Sequence, residues 1–256
     1  MYDLIYSLII FFATFMGSFV GLGGGVIIKA ALDLIGHDSV ATVNFISCCA
    51  VFSMSISSTI KHIRAKTKID FKFIVTLSIG AVAGGIIGSA LFDYLLTIFD
   101  SVAMKRMQGV ILCLLLVASV IYINLKNRKS FTVKNSIGII GVGLLLGLLS
   151  SFLGVGGGPM NVAFLILFFS MTSKESAVYS VGVIFFSQLS KLITMVSTNS
   201  IPEFNYITLI LAIATAIIGG ILGARMNKRS NEKTIKTVFT IVVACVAGIN
   251  LCNAII

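Results

Sequence analysis

The chain has 256 residues, 57% of them apolar and 11% charged, with a formal net charge of +10, and its mean hydropathy is +1.08. That composition excludes a soluble domain of this length, and apolar runs of about 17 to 25 residues exclude an outer-membrane barrel, whose spanning strands alternate over about ten residues. The basic residues lie in short segments between apolar runs, not on one face or tail, so they report membrane topology and argue against nucleic-acid binding.

In chain order, the first apolar run extends from Leu4 to Ile35 and is interrupted by Gly21-Leu22-Gly23-Gly24-Gly25. Asp3 stands where a cleaved leader would be basic, so this run is read as part of the fold. Three ordinary spans follow, Val40 to Ile60, Phe73 to Leu95 and Met104 to Ile123. After a basic linker near Lys126 to Asn135, a second run from Ile137 to Met171 is interrupted by Gly154-Val155-Gly156-Gly157-Gly158-Pro159. The last spans are Ala177 to Ser197, Tyr206 to Ala224 and Ile235 to Ala254.

The second half repeats the first at an offset of about 135 residues. GLGGG returns as GVGGG, Ala41-x-x-Asn44 as Ala177-x-x-Ser180, Asp70-Phe71 as Glu203-Phe204, and Gly84-Gly85-x-x-Gly88 as Gly219-Gly220-x-x-Gly223. The expected fold is an all-α polytopic membrane protein built from two repeats, 1–130 and 131–256, within one transmembrane domain. Each repeat is a glycine-interrupted helix pair plus three transmembrane helices.

Each interrupted run, as one unbroken helix, would be roughly 48 to 53 Å long, against about 30 Å of hydrocarbon, so it must break. Consecutive glycines disfavour helix and accept a tight turn. Charge decides between a bent crossing and a re-entrant hairpin. If each run crossed once, Lys61 to Lys72 and Arg225 to Lys236 would fall on opposite sides. If each returns to its own side, the halves are inverted and the basic segments all face the cytoplasm, leaving Lys29, Lys105, Arg106 and Lys191 as the exceptions among 19 Lys and Arg. The inverted arrangement places both termini outside.

The breaks also define the candidate site. Backbone N–H groups at membrane depth are tolerated only inside protein or along a watery cavity, and helices starting after each cluster aim their N-termini inward, which suits a small anion. Gly21, Gly23, Gly24, Gly25, Gly154, Gly156, Gly157, Gly158 and Pro159 are the primary candidates; close packing of small residues is the competing explanation. It is the preferred one for the Gly84 and Gly219 motifs. Lys29 either neutralises Asp33 one turn on or adds charge to the site, and Lys191 either snorkels to the interface or touches substrate. Asn44 and Ser180 are candidates because they occupy matching repeat positions, and Gln188 because a buried amide needs partners. His37 and His62 are read as solvated loop residues, and Cys48, Cys49, Cys113, Cys245 and Cys252 as packing residues. No cluster has metal-ligand or nucleophile–base spacing, so neither an enzyme nor a cofactor or metal site is expected.

Together these motifs resemble the TauE/SafE family of sulfite and organosulfur-anion permeases over nearly the whole chain. The resemblance implies a bacterial or archaeal inner-membrane permease for sulfite, thiosulfate or a sulfonate such as sulfoacetate. Val26 stands where the second half has Pro159, and Asn44 where many members have threonine or serine. The expected partners are a small anionic substrate and the bilayer, with monomer and homodimer both open. An anion channel and a non-transporting scaffold or sensor subunit are the alternatives.

Overall fold

The computed structural model describes residues 2–65, 70–99, 101–125, 130–153, 158–199 and 201–255. Among them are ten α-helices and no strand: α1 (Tyr2–Val20), α2 (Gly25–Ile35), α3 (Val40–Arg64), α4 (Phe71–Leu96), α5 (Ser101–Asn124), α6 (Ser136–Phe152), α7 (Gly158–Phe169), α8 (Ser173–Ser197), α9 (Tyr206–Arg229) and α10 (Glu232–Ile255). Six of these are long and apolar enough to cross a membrane, while α6 and α7 are shorter apolar helices.

Both interrupted runs are broken in two, as the length argument requires. The three spans of each half also appear, with a systematic difference at their basic ends. α3 continues through Lys61, His62 and Arg64, and α9 through Lys228 and Arg229. Cations at a helix C-terminus oppose its partial negative charge, so the helix persists into the basic segment. Polar residues mark the starts: Ser39 Oγ accepts from the Thr42 amide, Asp70 from Phe73, Asn135 from Gly138, and Thr172 forms a reciprocal capping box with Glu175.

The contacts fix how the helices run. Tyr2, at the start of α1, stacks on His37 just beyond α2, with ring centroids 4.1 Å apart. The first run is therefore a hairpin returning to its starting end. In the second run, the Phe131 and Val133 amides before α6 donate to the Leu167 and Phe168 carbonyls near the end of α7, closing the same kind of hairpin. α9 runs alongside α1, since Gly219 meets Phe11 and Thr14 while Gly223 meets Phe15 and Ser18. α3 shares that direction: Thr42 Oγ1 donates to the Glu203 carbonyl at one end, and Lys228 Nζ to the Ala65 carbonyl at the other.

α6 runs alongside α4, with Gly80 against Ile140 and Gly88 against Leu148. α8 runs with α4 as well, Tyr179 meeting Asp70 and Gly182 meeting Ile74. Across the middle, α8 opposes α3: the Cys48 thiol reaches the Gln188 carbonyl, and Phe52 stacks on Phe185. The set α1, α3 and α9 therefore runs against the set α4, α6 and α8.

His62 departs from the sequence reading. It lies inside α3 and is 2% exposed, with Nε2 lacking a hydrogen-bond partner among the described residues. The extra turn that carries α3 through its basic end takes the imidazole off the surface.

Candidate functional site: the paired glycine breaks

The first break is built from left-handed glycines. Gly21, Gly23 and Gly24 have φ of 83°, 74° and 76°, values that L side chains rarely adopt. The Gly23 amide donates to the Gly17 carbonyl at 3.2 Å, locking the turn against the helix it has just left. A Cβ on Gly17 would run into Gly24, and one on Gly24 would meet the Ala13 carbonyl oxygen at 2.6 Å. The chain can double back only because these positions have no side chains.

The turn sits on one face of α8. A Cβ at Gly21 would strike Ala177, one at Gly23 would strike Ile184, and Ser180 Oγ donates to the Gly21 carbonyl at 2.7 Å. Residues 177, 180 and 184 lie one turn apart on the same helix face. Ser180 and Gly21, both named as candidates from the sequence, are thus in contact. On the other side, Gly25 faces Ser47 and Val51 of α3 at ordinary van der Waals distance.

The two breaks meet. A Cβ added to Gly158, the last glycine of the second cluster, would fall on the backbone of Leu22, the apolar residue inside the first. Gly158, Pro159 and Met160 are buried at this junction. Gly154, Gly156 and Gly157 lie outside the described residues.

At α2 the helix start differs from the capped starts of α3, α4, α6, α8 and α9. Its N-cap is Gly24, in the left-handed region, with no side-chain hydrogen bond. The first four N–H groups of a helix have no partner within it, and here no capping side chain among the described residues serves them. They carry the positive end of the helix dipole in a buried setting.

The remaining candidates lie away from the junction, along the helices that flank it. Lys29 is half-buried one turn into α2, while Asp33 is exposed. Asn44 is half-buried, one turn before Ser47 on α3. Gln188 is buried at the level of Cys48, and Lys191 is exposed one turn further along α8. Sequence reasoning missed Leu22, Ile184 and Asn161. Asn161 is 3% exposed in the first turn of α7; its signal was an amide directly after a glycine-proline break in an otherwise apolar run. Leu22 carried no signal, because its partner lies in the other half of the chain.

These features define a multi-pass helical membrane protein whose centre is formed by two broken helices. The model of the family described as sulfite exporter TauE/SafE matches residues 6–251, and the chain belongs to that family. It is similar to the probable membrane transporter protein YunE of Bacillus subtilis (strain 168), at 25% identity over 89% of each chain. It is also similar to a probable membrane transporter protein of Methanocaldococcus jannaschii, at 26% identity over 88% of this chain and 86% of the relative. The protein is a membrane transporter of the TauE/SafE family.

Proposed function

We propose that the protein moves a small anion, sulfite or an organosulfonate such as sulfoacetate, across the bacterial or archaeal cytoplasmic membrane. The substrate sits where the glycine breaks meet, and two inverted halves, 1–130 and 131–256, rock around it in alternating access. The observation that carries this reading is the buried start of α2, which lacks a side-chain cap beside the Leu22–Gly158 contact. A helix N-terminus of this kind offers N–H donors and positive potential to an anion and no counter-charge to a cation. The opposed directions of α1 and α6 support inverted halves, and the family's description supports a sulfur oxyanion.

Within the cluster the glycines divide by role. Gly21, Gly24 and Gly158 are met by neighbouring backbone and Gly23 by the Ile184 side chain, which supports the packing explanation for them. Gly25 is the position whose substitution tests binding, with Lys29 adding positive charge about one turn away and Asn44, Ser180, Gln188 and Lys191 lining the approach. A negative-inside membrane potential favours export of an anion by about 2.3 kcal/mol per charge per 100 mV, which makes proton coupling unnecessary.

The test is thermal stabilisation of the purified protein by sodium salts of sulfite, thiosulfate, sulfate, sulfoacetate, acetate and chloride. A ligand at 100 times its Kd stabilises by about 2.7 kcal/mol. One sulfur oxyanion or sulfonate should raise the melting temperature selectively, and Gly25→Ala should lose that rise while folding normally. Equal melting in all salts, together with no counterflow of any of them in proteoliposomes, overturns the proposal in favour of a cationic or neutral substrate.

A further inference from the structure

A groove of about 430 Å³ opens between α3 and α9 on the surface of the bundle. Its walls are Ile56 and Ile60 of α3 and Ile217 and Ile221 of α9, and one end carries Lys61 and Arg64. The two helices run in the same direction and approach closely at Gly220, where an added Cβ would meet Ser57 Oγ and the Met54 carbonyl. The groove lies beside that contact, with Ile60 45% and Ile217 38% exposed.

Its interior is more apolar than its residue types suggest. Ser53 and Ser57 line it, yet their hydroxyls donate to the Cys49 and Met54 carbonyls of their own helix, so neither turns a free O–H donor inward. From Ser53 to Arg64 the helix rises about 16 Å, which is close to one leaflet's share of the roughly 30 Å of hydrocarbon. The charge falls at one end only. α3 and α9 contain no Asp or Glu, and neither Lys61 nor Arg64 makes an ion pair among the described residues. Arg225, exposed one turn beyond Ile221, adds a third cation. It stands near the level of Lys61, since Gly220 meets Ser57 and Lys228 reaches Ala65 along the same pair of helices. The helix dipole accounts for cations at the end of α3 but not for an apolar groove leading away from them.

We propose that this groove binds one anionic phospholipid from the leaflet at the basic face, with its phosphate against Lys61 and Arg64 and one acyl chain along the isoleucines. Basic pockets between transmembrane helices are the chemistry that captures anionic headgroups. A zwitterionic lipid brings an ammonium group that these cations repel, and a soluble anion would leave the apolar length unfilled. A second copy of the chain would have to bring carboxylates to the basic end, and 9 Asp and Glu against 19 Lys and Arg make it a poor match. This site is independent of what crosses at the glycine breaks, so either assignment can fail without the other.

The experiment is native mass spectrometry of the full-length protein, released from micelles that hold equal amounts of dioleoylphosphatidylglycerol and dioleoylphosphatidylcholine. Each chain should retain one phosphatidylglycerol in preference to phosphatidylcholine. Lys61→Gln combined with Arg64→Gln should weaken that lipid by about fivefold per lost cation. Lys233→Gln combined with Lys236→Gln removes the same charge from α10, outside the groove, and should leave the lipid bound as tightly as before. Ser53→Phe fills the apolar end with every cation in place and should also weaken retention, its melting in lipid-free detergent showing that it folds; if it does not fold, the two charge variants decide. No preference for phosphatidylglycerol, equal weakening in both charge variants, retention unchanged in folded Ser53→Phe, or a lipid-free dimer would overturn the assignment.

Discussion

Gly24 and Gly25 are neighbours with opposite tolerances, and the contrast tests the turn directly. Gly24 combines a φ of 76° with the Ala13 carbonyl 2.6 Å from any added Cβ. A left-handed residue with a side chain costs roughly 1 to 2 kcal/mol and overpacking a further 1 to 3, so Gly24→Ala should lose about 2 to 5 kcal/mol. Gly25 is helical, and its added Cβ would stand 3.4 Å from Val51 and 3.7 Å from Ser47, in ordinary contact. Gly25→Ala should gain up to about 1 kcal/mol from helix propensity. Melting of the two variants in detergent checks this: a Gly24→Ala protein as stable as the native one would mean that the hairpin does not close as described. The same geometry makes leucine at Gly24 unsuitable for a binding test, because it would unfold the turn before it blocked a ligand.

At the scale of helices, the seam between α4 and α6 rests on small residues from both sides. Added Cβ atoms at Gly80, Gly84 and Gly88 would fall on the backbones of Ile140, Leu144 and Leu148, and those at Gly143 and Gly147 on Leu77 and Ala81. Apolar lipid gives helices no hydrophobic drive to associate, so this close backbone approach is what binds them. Gly84→Ala should therefore destabilise by about 1 to 3 kcal/mol, while Gly141→Ala on the partner helix α6, with nothing within 4 Å among the described residues, should be neutral or gain up to about 1 kcal/mol from helix propensity. Equal melting temperatures would sink the close seam. The Gly84-Gly85-x-x-Gly88 motif was legible as packing because its spacing puts small residues on one helix face. The spans were legible because hydropathy and length are set by the bilayer, and the breaks because no single helix of that length fits it. The burial of His62 was not legible, since a basic segment reads as loop unless the helix dipole is weighed against it. Nor was the Leu22–Gly158 meeting, which joins residues from different halves with no local pattern to pair them.

For the whole molecule, the question is which face the basic ends share. A bent crossing in each half would put the ends of α3 and α9 on opposite faces. Lys228 Nζ donates to the Ala65 carbonyl at 2.7 Å, and Lys174, at the start of α8, donates to the Lys228 and Ser230 carbonyls. The ends of α3 and α9 and the start of α8 therefore lie together, and under the positive-inside rule their excess of Lys and Arg predicts that this shared face is cytoplasmic. A cavity lined by Tyr2, His37 and Asp38 lies at the opposite end of these helices, beside Glu203 and the starts of α3 and α9. In a cysteine-free background, single cysteines replacing Lys72 and Arg229 should react with an impermeant maleimide only after the membrane is opened. Cysteines replacing Asn199 and Glu203 should react in intact cells. Labelling of the Arg229 position but not the Lys72 position from outside would break the common basic face and, with it, the inverted relation between the halves on which alternating access depends.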